Sequence, residues 1–236
     1  MAPDGAATPW QSARVLAVTP ETASAVTLSL ELERPARHRA GQHYVVRLTA
    51  PDGYTAARSY SVASAPDDTG VIALTVERFH DGEVSTFLHD GLEVGDEIDV
   101  RGPIGGWFVW DGDTPALLVG GGSGLVPLMA MLRLARRRGR SDLVQLVVSV
   151  RAPADLYYRD ELPGPETTVV YSRLAPPGTE RPIGRLGVGD LAGRDVRGAT
   201  VYVCGSPAFC DTTTDLLAEV GVTAGRIRVE RFGPSG

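Results

Sequence analysis

Apolar and polar residues alternate in six short runs over residues 11–112: ARVLAVTP (13–20), AVTLSLELE (25–33), QHYVVRLTA (42–50), RSYSVAS (58–64), VIALTVERF (71–79) and DEIDVRGP (96–103). A period of two is that of a half-buried strand, and Gly, Pro and Asp break the runs at short intervals. This half therefore reads as an antiparallel barrel or sandwich. GEVSTFLHDG (82–91) is its one helix signal.

From residue 113 the period changes. PALLVGG (115–121) is a continuous apolar strand, and LVPLMAMLRLARRRG (125–139) is a helix with a basic end and a glycine stop. Strand LVQLVVSV (143–150), helix DLYYRDEL (155–162) and strand TTVVYSR (167–173) follow. After a Pro/Gly-rich loop come strand TVYVCG (200–205), helix AFCDTTTDLLAEVG (208–221) and strand RIRVERFG (226–233). Strands alternating with helices predict a parallel α/β sheet. Three units are expected: a disordered tail over 1–10, a β domain over 11–112 and an α/β domain over 113–236, joined near DGDTP (111–115).

The 236 residues carry 43% hydrophobic and 22% charged side chains, ordinary for a globular protein. No run approaches the ~20 apolar residues of a membrane span. The N-terminus has neither basic nor apolar signal regions, so a cytoplasmic protein is expected. The net charge of −6 argues against general nucleic-acid binding, although all 23 basic residues are arginine. Two cysteines, Cys204 and Cys210, are too few for an iron–sulfur cluster, and the four histidines lack ligand spacing.

Two stretches carry chemistry. In LLVGGGSGLVPLM (117–129), Gly120, Gly121, Gly122 and Gly124 stand between a strand and a helix, where backbone amides and the helix dipole suit a pyrophosphate. The turn departs from the usual dinucleotide pattern, with Pro127 where a third glycine would stand. The usual acid after the second strand is also missing. That strand ends in Arg151, and the next in Ser172 and Arg173, a set suited to a 2′-phosphate and hence to NADPH over NADH. The second stretch, ARSYSVASAP (57–66), crowds a cation, an aromatic ring and hydroxyls onto one strand end.

Taken together, RSYS (58–61), GEVS (82–85), GGSGLVP (121–127), VCG (203–205) and VERFG (229–233) resemble, in order, the motifs of the ferredoxin–NADP reductase superfamily. The likeness extends from about residue 11 to 233 and is greatest to reductase modules of bacterial multicomponent oxygenases. It implies a six-stranded Greek-key barrel that binds flavin, followed by a Rossmann-like nucleotide domain. In this resemblance Arg58, Ser59, Tyr60, Ser61, Val76, Gly82, Val84, Ser85 and Phe232 hold the flavin. Gly121, Gly122, Ser123, Gly124, Pro127, Arg151, Ser172, Arg173, Cys204 and Gly205 hold the dinucleotide. Ser61, Cys204 and Glu230 serve hydride transfer, and the Cys204 thiol is expected to face the cleft.

The implied cofactors are FAD, with FMN as the alternative, and NADPH, with NADH as the alternative. The implied acceptor is a separate ferredoxin or oxygenase component, because the chain ends close after the last motif, and a monomer is expected. Reduction of free flavin, ferric complexes or quinones stays open, as does a non-catalytic flavin-binding subunit. The run Arg133, Arg136, Arg137, Arg138 and Arg140 has two readings: a dipole-offsetting helix end, which is preferred, or a dock for an acidic carrier.

Overall fold

The computed structural model describes residues 8–194 and 198–233. Strands β1 (Gln11–Thr22), β2 (Ala25–Leu32), β3 (His43–Thr49), β4 (Thr55–Ser61), β5 (Val71–Glu77) and β6 (Glu97–Ile104) form one antiparallel sheet in the order β4-β3-β6-β1-β2-β5. Its two edges meet: Val62 bridges Leu74, and the Ala63 N–H donates to the Ala73 carbonyl at 2.7 Å. The predicted alternation is what closes this barrel. On β2, Val26, Leu28, Leu30 and Leu32 point inward and are buried, while Thr27, Ser29 and Glu31 face out. Helix α1 (Glu83–Asp90) adds Val84 and Leu88 to the barrel core.

The second sheet is parallel, with the order β11-β10-β7-β8-β9. Its strands are β7 (Ala116–Gly121), β8 (Val144–Val150), β9 (Thr167–Tyr171), β10 (Thr200–Gly205) and β11 (Ile227–Arg231). Helix α2 (Leu125–Arg137) follows β7, a four-residue α3 (Val188–Leu191) lies in the Pro/Gly-rich loop, and α4 (Pro207–Glu219) follows β10. Both sheet faces are covered, so the strands are continuously apolar. Leu118, Leu146, Val148 and Tyr202 share a buried cluster with α2, whereas Leu117, Val119, Val147, Val201 and Val203 share one with α4 residues Cys210 and Leu217. Strand order reverses between β7 and β10, and ligand crevices form at that kind of point in open α/β sheets.

Two expectations are corrected. The helix predicted over 155–162 is absent: a 3-10 turn (Pro153–Asp155) runs into further turns, with Tyr158 at φ +53°. The Tyr157 phenol lies beside Glu77 and the Tyr158 hydroxyl bonds Thr75, alternate residues on one outer face of β5. Successive residues of a helix point about 100° apart and could not both reach that face. The tail predicted over 1–10 is anchored at its end, because the Arg47 and Arg101 guanidiniums lie 4.2 and 4.9 Å from the Trp10 ring centroid; residues 1–7 fall outside the described part.

The arginine run is not a free basic surface. Arg133 donates to the Ala63 carbonyl at 2.8 Å and pairs with Glu161, and Arg137 donates to the Pro66 carbonyl at 3.0 Å and pairs with Asp67. Arg136 pairs with Glu166 at 2.6 Å, Arg138 with Asp113, and Arg140 with Asp142. These cations tie α2 to the segment after β4 and to the link between the sheets. Beneath them Ala63, Ala65, Phe108 and Trp110 pack in the same buried cluster as Leu128 and Met131.

Candidate active site

One cleft of about 780 Å³ opens between the two sheets. Its barrel wall is the end of β4, where Arg58, Ser59, Tyr60 and Ser61 line it. Antiparallel register sets Tyr60 opposite Tyr44 and Ser61 opposite His43 on β3. Arg58 is exposed, tethered only through Nη1 to the Ala57 carbonyl at 2.8 Å, so its charge is available to a ligand. Tyr60 packs half-buried on the barrel core, and burial pushes its phenol well above the ordinary value. No hydrogen bond of the Ser61 hydroxyl occurs among the described residues.

The floor is the start of α1, contributed by Gly82, Val84 and Ser85. No side chain caps this helix, so its first amides are free for an anion. Ser85 Oγ accepts from the Phe79 N–H at 3.2 Å and donates to the Gly82 carbonyl at 3.0 Å, which fixes the turn. A Cβ at Gly82 would collide with that hydroxyl, so the position demands glycine.

The facing wall comes from the parallel sheet: Ser123, Val126, Glu230, Arg231 and Phe232. Glu230 on β11 pairs in register with Cys204 on β10, and the Phe232 N–H donates to the Gly205 carbonyl at 2.8 Å. Glu230 Oε2 is buried without a hydrogen-bond partner among the described residues, and burial pushes the carboxyl up to about 7. A carboxyl raised by burial in a cleft is a candidate functional group.

Not every predicted site residue meets the cleft. Val76 points into the barrel core; its neighbours Thr75 and Glu77 line the cavity instead. Cys204 is not among the cleft-lining residues, although its register opposite Glu230 puts both side chains on the same sheet face. It lies on the α2 side of β10, fully buried with Leu125 and Val126, and burial foremost, with Glu230 nearby, raises it well above the ordinary thiol value.

Gly121, Gly122, Gly124, Pro127 and Gly205 stand behind Ser123. Gly122 adopts φ +56°, and a Cβ on Gly124 would strike the Cys204 carbonyl, so Gly124 is the close helix–strand contact. Pro127 is buried in the first turn of α2. Arg151, Ser172 and Arg173 lie at the carboxyl ends of β8 and β9, joined by the Arg173 N–H to the Arg151 carbonyl at 2.9 Å. Both of these arginines are exposed, with no ion-pair partner among the described residues.

His43, Thr75 and Glu77 line the cleft although no motif named them. Each was findable only through strand register, His43 as the partner of Ser61 and the other two as outward residues of β5. Among the described residues no cluster of His, Cys, Asp or Glu could hold a metal, and no helix is long and apolar enough to cross a membrane.

A family model for the oxidoreductase FAD-binding domain matches residues 13–109. The ferredoxin–NAD(P)+ reductase component of the naphthalene 1,2-dioxygenase/salicylate 5-hydroxylase systems of Ralstonia sp. is 32% identical over 233 residues, covering 94% of this chain and 69% of that protein. The reductase component of propane 2-monooxygenase from Rhodococcus jostii strain RHA1 is 29% identical over 234 residues, covering 93% of this chain and 62% of that protein. Among solved structures, the Amycolatopsis cytochrome P450 reductase superposes with a TM-score of 0.79 at 29% identity, over 98% of this chain and 72% of that one. Barrel, parallel sheet, ordered motifs and relatives converge, and the chain belongs to the ferredoxin–NADP reductase superfamily of FAD-binding oxidoreductases.

Proposed function

We propose that this chain is an NADPH-dependent flavoprotein reductase that passes electrons singly from FAD to a separate acceptor protein, a ferredoxin or an oxygenase component. The observation that carries this reading is the shared cleft: the RSYS end and the α1 amides form one wall, and Glu230 and Phe232 form the other. The chain spans under two thirds of the Rhodococcus relative, so the acceptor is inferred from what the relatives are named for.

The residues present fit a flavin nucleotide. Arg58 supplies a planar cation and α1 supplies uncapped amides for phosphate. Tyr60 and Phe232 bring aromatic faces from opposite walls for a flat ring. The Ser61 hydroxyl is free to hydrogen-bond the ring edge. When bound, a flavin here would take two electrons as one hydride and could pass them on singly. Glu230, whose carboxyl burial raises to about 7, can hold a proton near neutral pH and orients the nicotinamide side. Cys204 supports from beneath as packing. The Gly121–Gly124 turn receives the pyrophosphate, and the unpaired charges of Arg151 and Arg173, with Ser172, receive the 2′-phosphate. Residues 11–112 form the flavin domain and 113–236 the nucleotide domain of a monomer.

Anaerobic titration of the flavin-loaded protein tests this. Bleaching of the visible band at low NADPH, and only at high NADH, is the expected result. Equal response to both would remove the 2′-phosphate assignment, and a protein that takes up neither FAD nor FMN would overturn the reading.

A further inference from the structure

Tyr158 is, among the described residues, the one non-glycine with a left-handed backbone, at φ +53°. Such a conformation persists only where its surroundings over-determine it. Its N–H donates to Glu21 Oε2 at 2.9 Å, and its hydroxyl shares a 2.5 Å hydrogen bond with Thr75 Oγ1. The Arg133 guanidinium lies 4.8 Å from its ring centroid, and the Tyr157 ring meets it edge-on. Thr75 Oγ1 also lies 2.7 Å from Thr27 Oγ1, which donates to Glu21 Oε1 at 2.6 Å. The contacts thus close into a ring: Glu21, Thr27, Thr75 and Tyr158. The first three sit on β1, β2 and β5 of the barrel, and Tyr158 alone comes from the α/β half. Thr75 lines the cleft, as does Glu77, which lies beside the Tyr157 phenol.

We propose that Tyr158 is a positioning residue, whose closed ring of hydrogen bonds with Glu21, Thr27 and Thr75 sets the nucleotide-binding half at its working distance from the flavin wall. A fully paired buried polar network permits one arrangement and penalises others. A one-ångström misplacement of reacting groups costs up to ~100-fold in rate. The ring acts on β5, so its effect falls on the approach of the nicotinamide and not on flavin affinity. The inference rests on the reductase reading above.

The test uses the full-length, flavin-loaded protein and its Tyr158→Phe and Thr75→Val variants, each reduced anaerobically by NADPH in a stopped-flow instrument. The limiting rate of flavin reduction is expected to fall about tenfold in each single variant, and little further in the double variant, since the Tyr158–Thr75 bond that spans the two halves is lost in all three. Flavin affinity and the half-saturating NADPH concentration should stay within about twofold, and Thr75→Ser, which keeps the hydroxyl, should recover most of the rate. Wild-type limiting rates in both single variants would overturn the proposal, as would slowing explained entirely by lost flavin or a lowered melting temperature. A wild-type protein that neither NADPH nor NADH reduces would instead sink the reductase reading, and the inference with it.

Discussion

Glu230 shows how one side chain can be costly to the fold and useful to the site. Its carboxyl sits at about 7 where an ordinary glutamate titrates near 4.5, because burial disfavours the charge. The native state therefore binds more protons than the unfolded chain between those values, and stability falls as pH rises through that window. Glu230→Gln removes the penalty. In cofactor-free protein the variant should match wild type below about pH 4.5 and exceed it above pH 7, by at most about 3 kcal/mol. Urea melts at pH 5 and pH 8 check the sign. Arg173 makes an opposite kind of prediction, one of binding alone. Its exposed guanidinium lacks an ion pair, so Arg173→Ala should raise the KM for NADPH about tenfold, leave that for NADH within about twofold and spare stability. Steady-state kinetics with each nucleotide separates the two. Both residues were legible in the sequence, as parts of a motif and of a strand end. The complete burial of the Cys204 thiol was not, because one strand position carries no statement of what packs over it.

At the level of elements, the turn between β7 and α2 combines two glycines of different necessity. Gly122 has open space around its missing Cβ but a left-handed φ of +56°, so Gly122→Ala should cost about 1 kcal/mol. Gly124 has an ordinary backbone but abuts the Cys204 carbonyl. Gly124→Ala must push α2 away from β10, and should cost roughly 2–3 kcal/mol and weaken nucleotide binding as well. Denaturant midpoints of the two variants give the order. The elements themselves were readable wherever local period and local burial agree. The eleven strands of the described residues overlap predicted runs, and those such as β2 and β7 do so because they alternate simply or are buried on both sides. The segment 155–162 was misread because its leucines and tyrosines mimic a helical stripe, while Tyr157 and Tyr158 answer to Thr75 and Glu77 on a strand far back in the chain. The four-residue α3 was missed because one turn, held by Asp190 accepting from the Gly187 N–H at 2.8 Å, has no period to detect.

On the scale of the whole molecule, the two sheets are joined by a buried alanine-rich seam with a layer of arginine bonds above it. The basic run on α2 was visible in the sequence, but its partners were not: Ala63 and Pro66 lie 70 and 71 residues before Arg133 and Arg137. Only the fold brings them together, and with them the run turns from a candidate docking patch into a fastening. Helix α2 therefore has two employments along a single rigid rod of 13 residues. Its N-terminal end follows the nucleotide turn, and its C-terminal end is pinned to the chain beyond β4. Thermodynamic reciprocity makes these ends each other's effectors. Whatever steadies the pins favours dinucleotide, and dinucleotide in turn steadies the pins, so α2 amides should exchange their hydrogens more slowly in the presence of NADPH along the whole rod, as far as Arg133 and Arg137, well beyond the turn that meets the ligand.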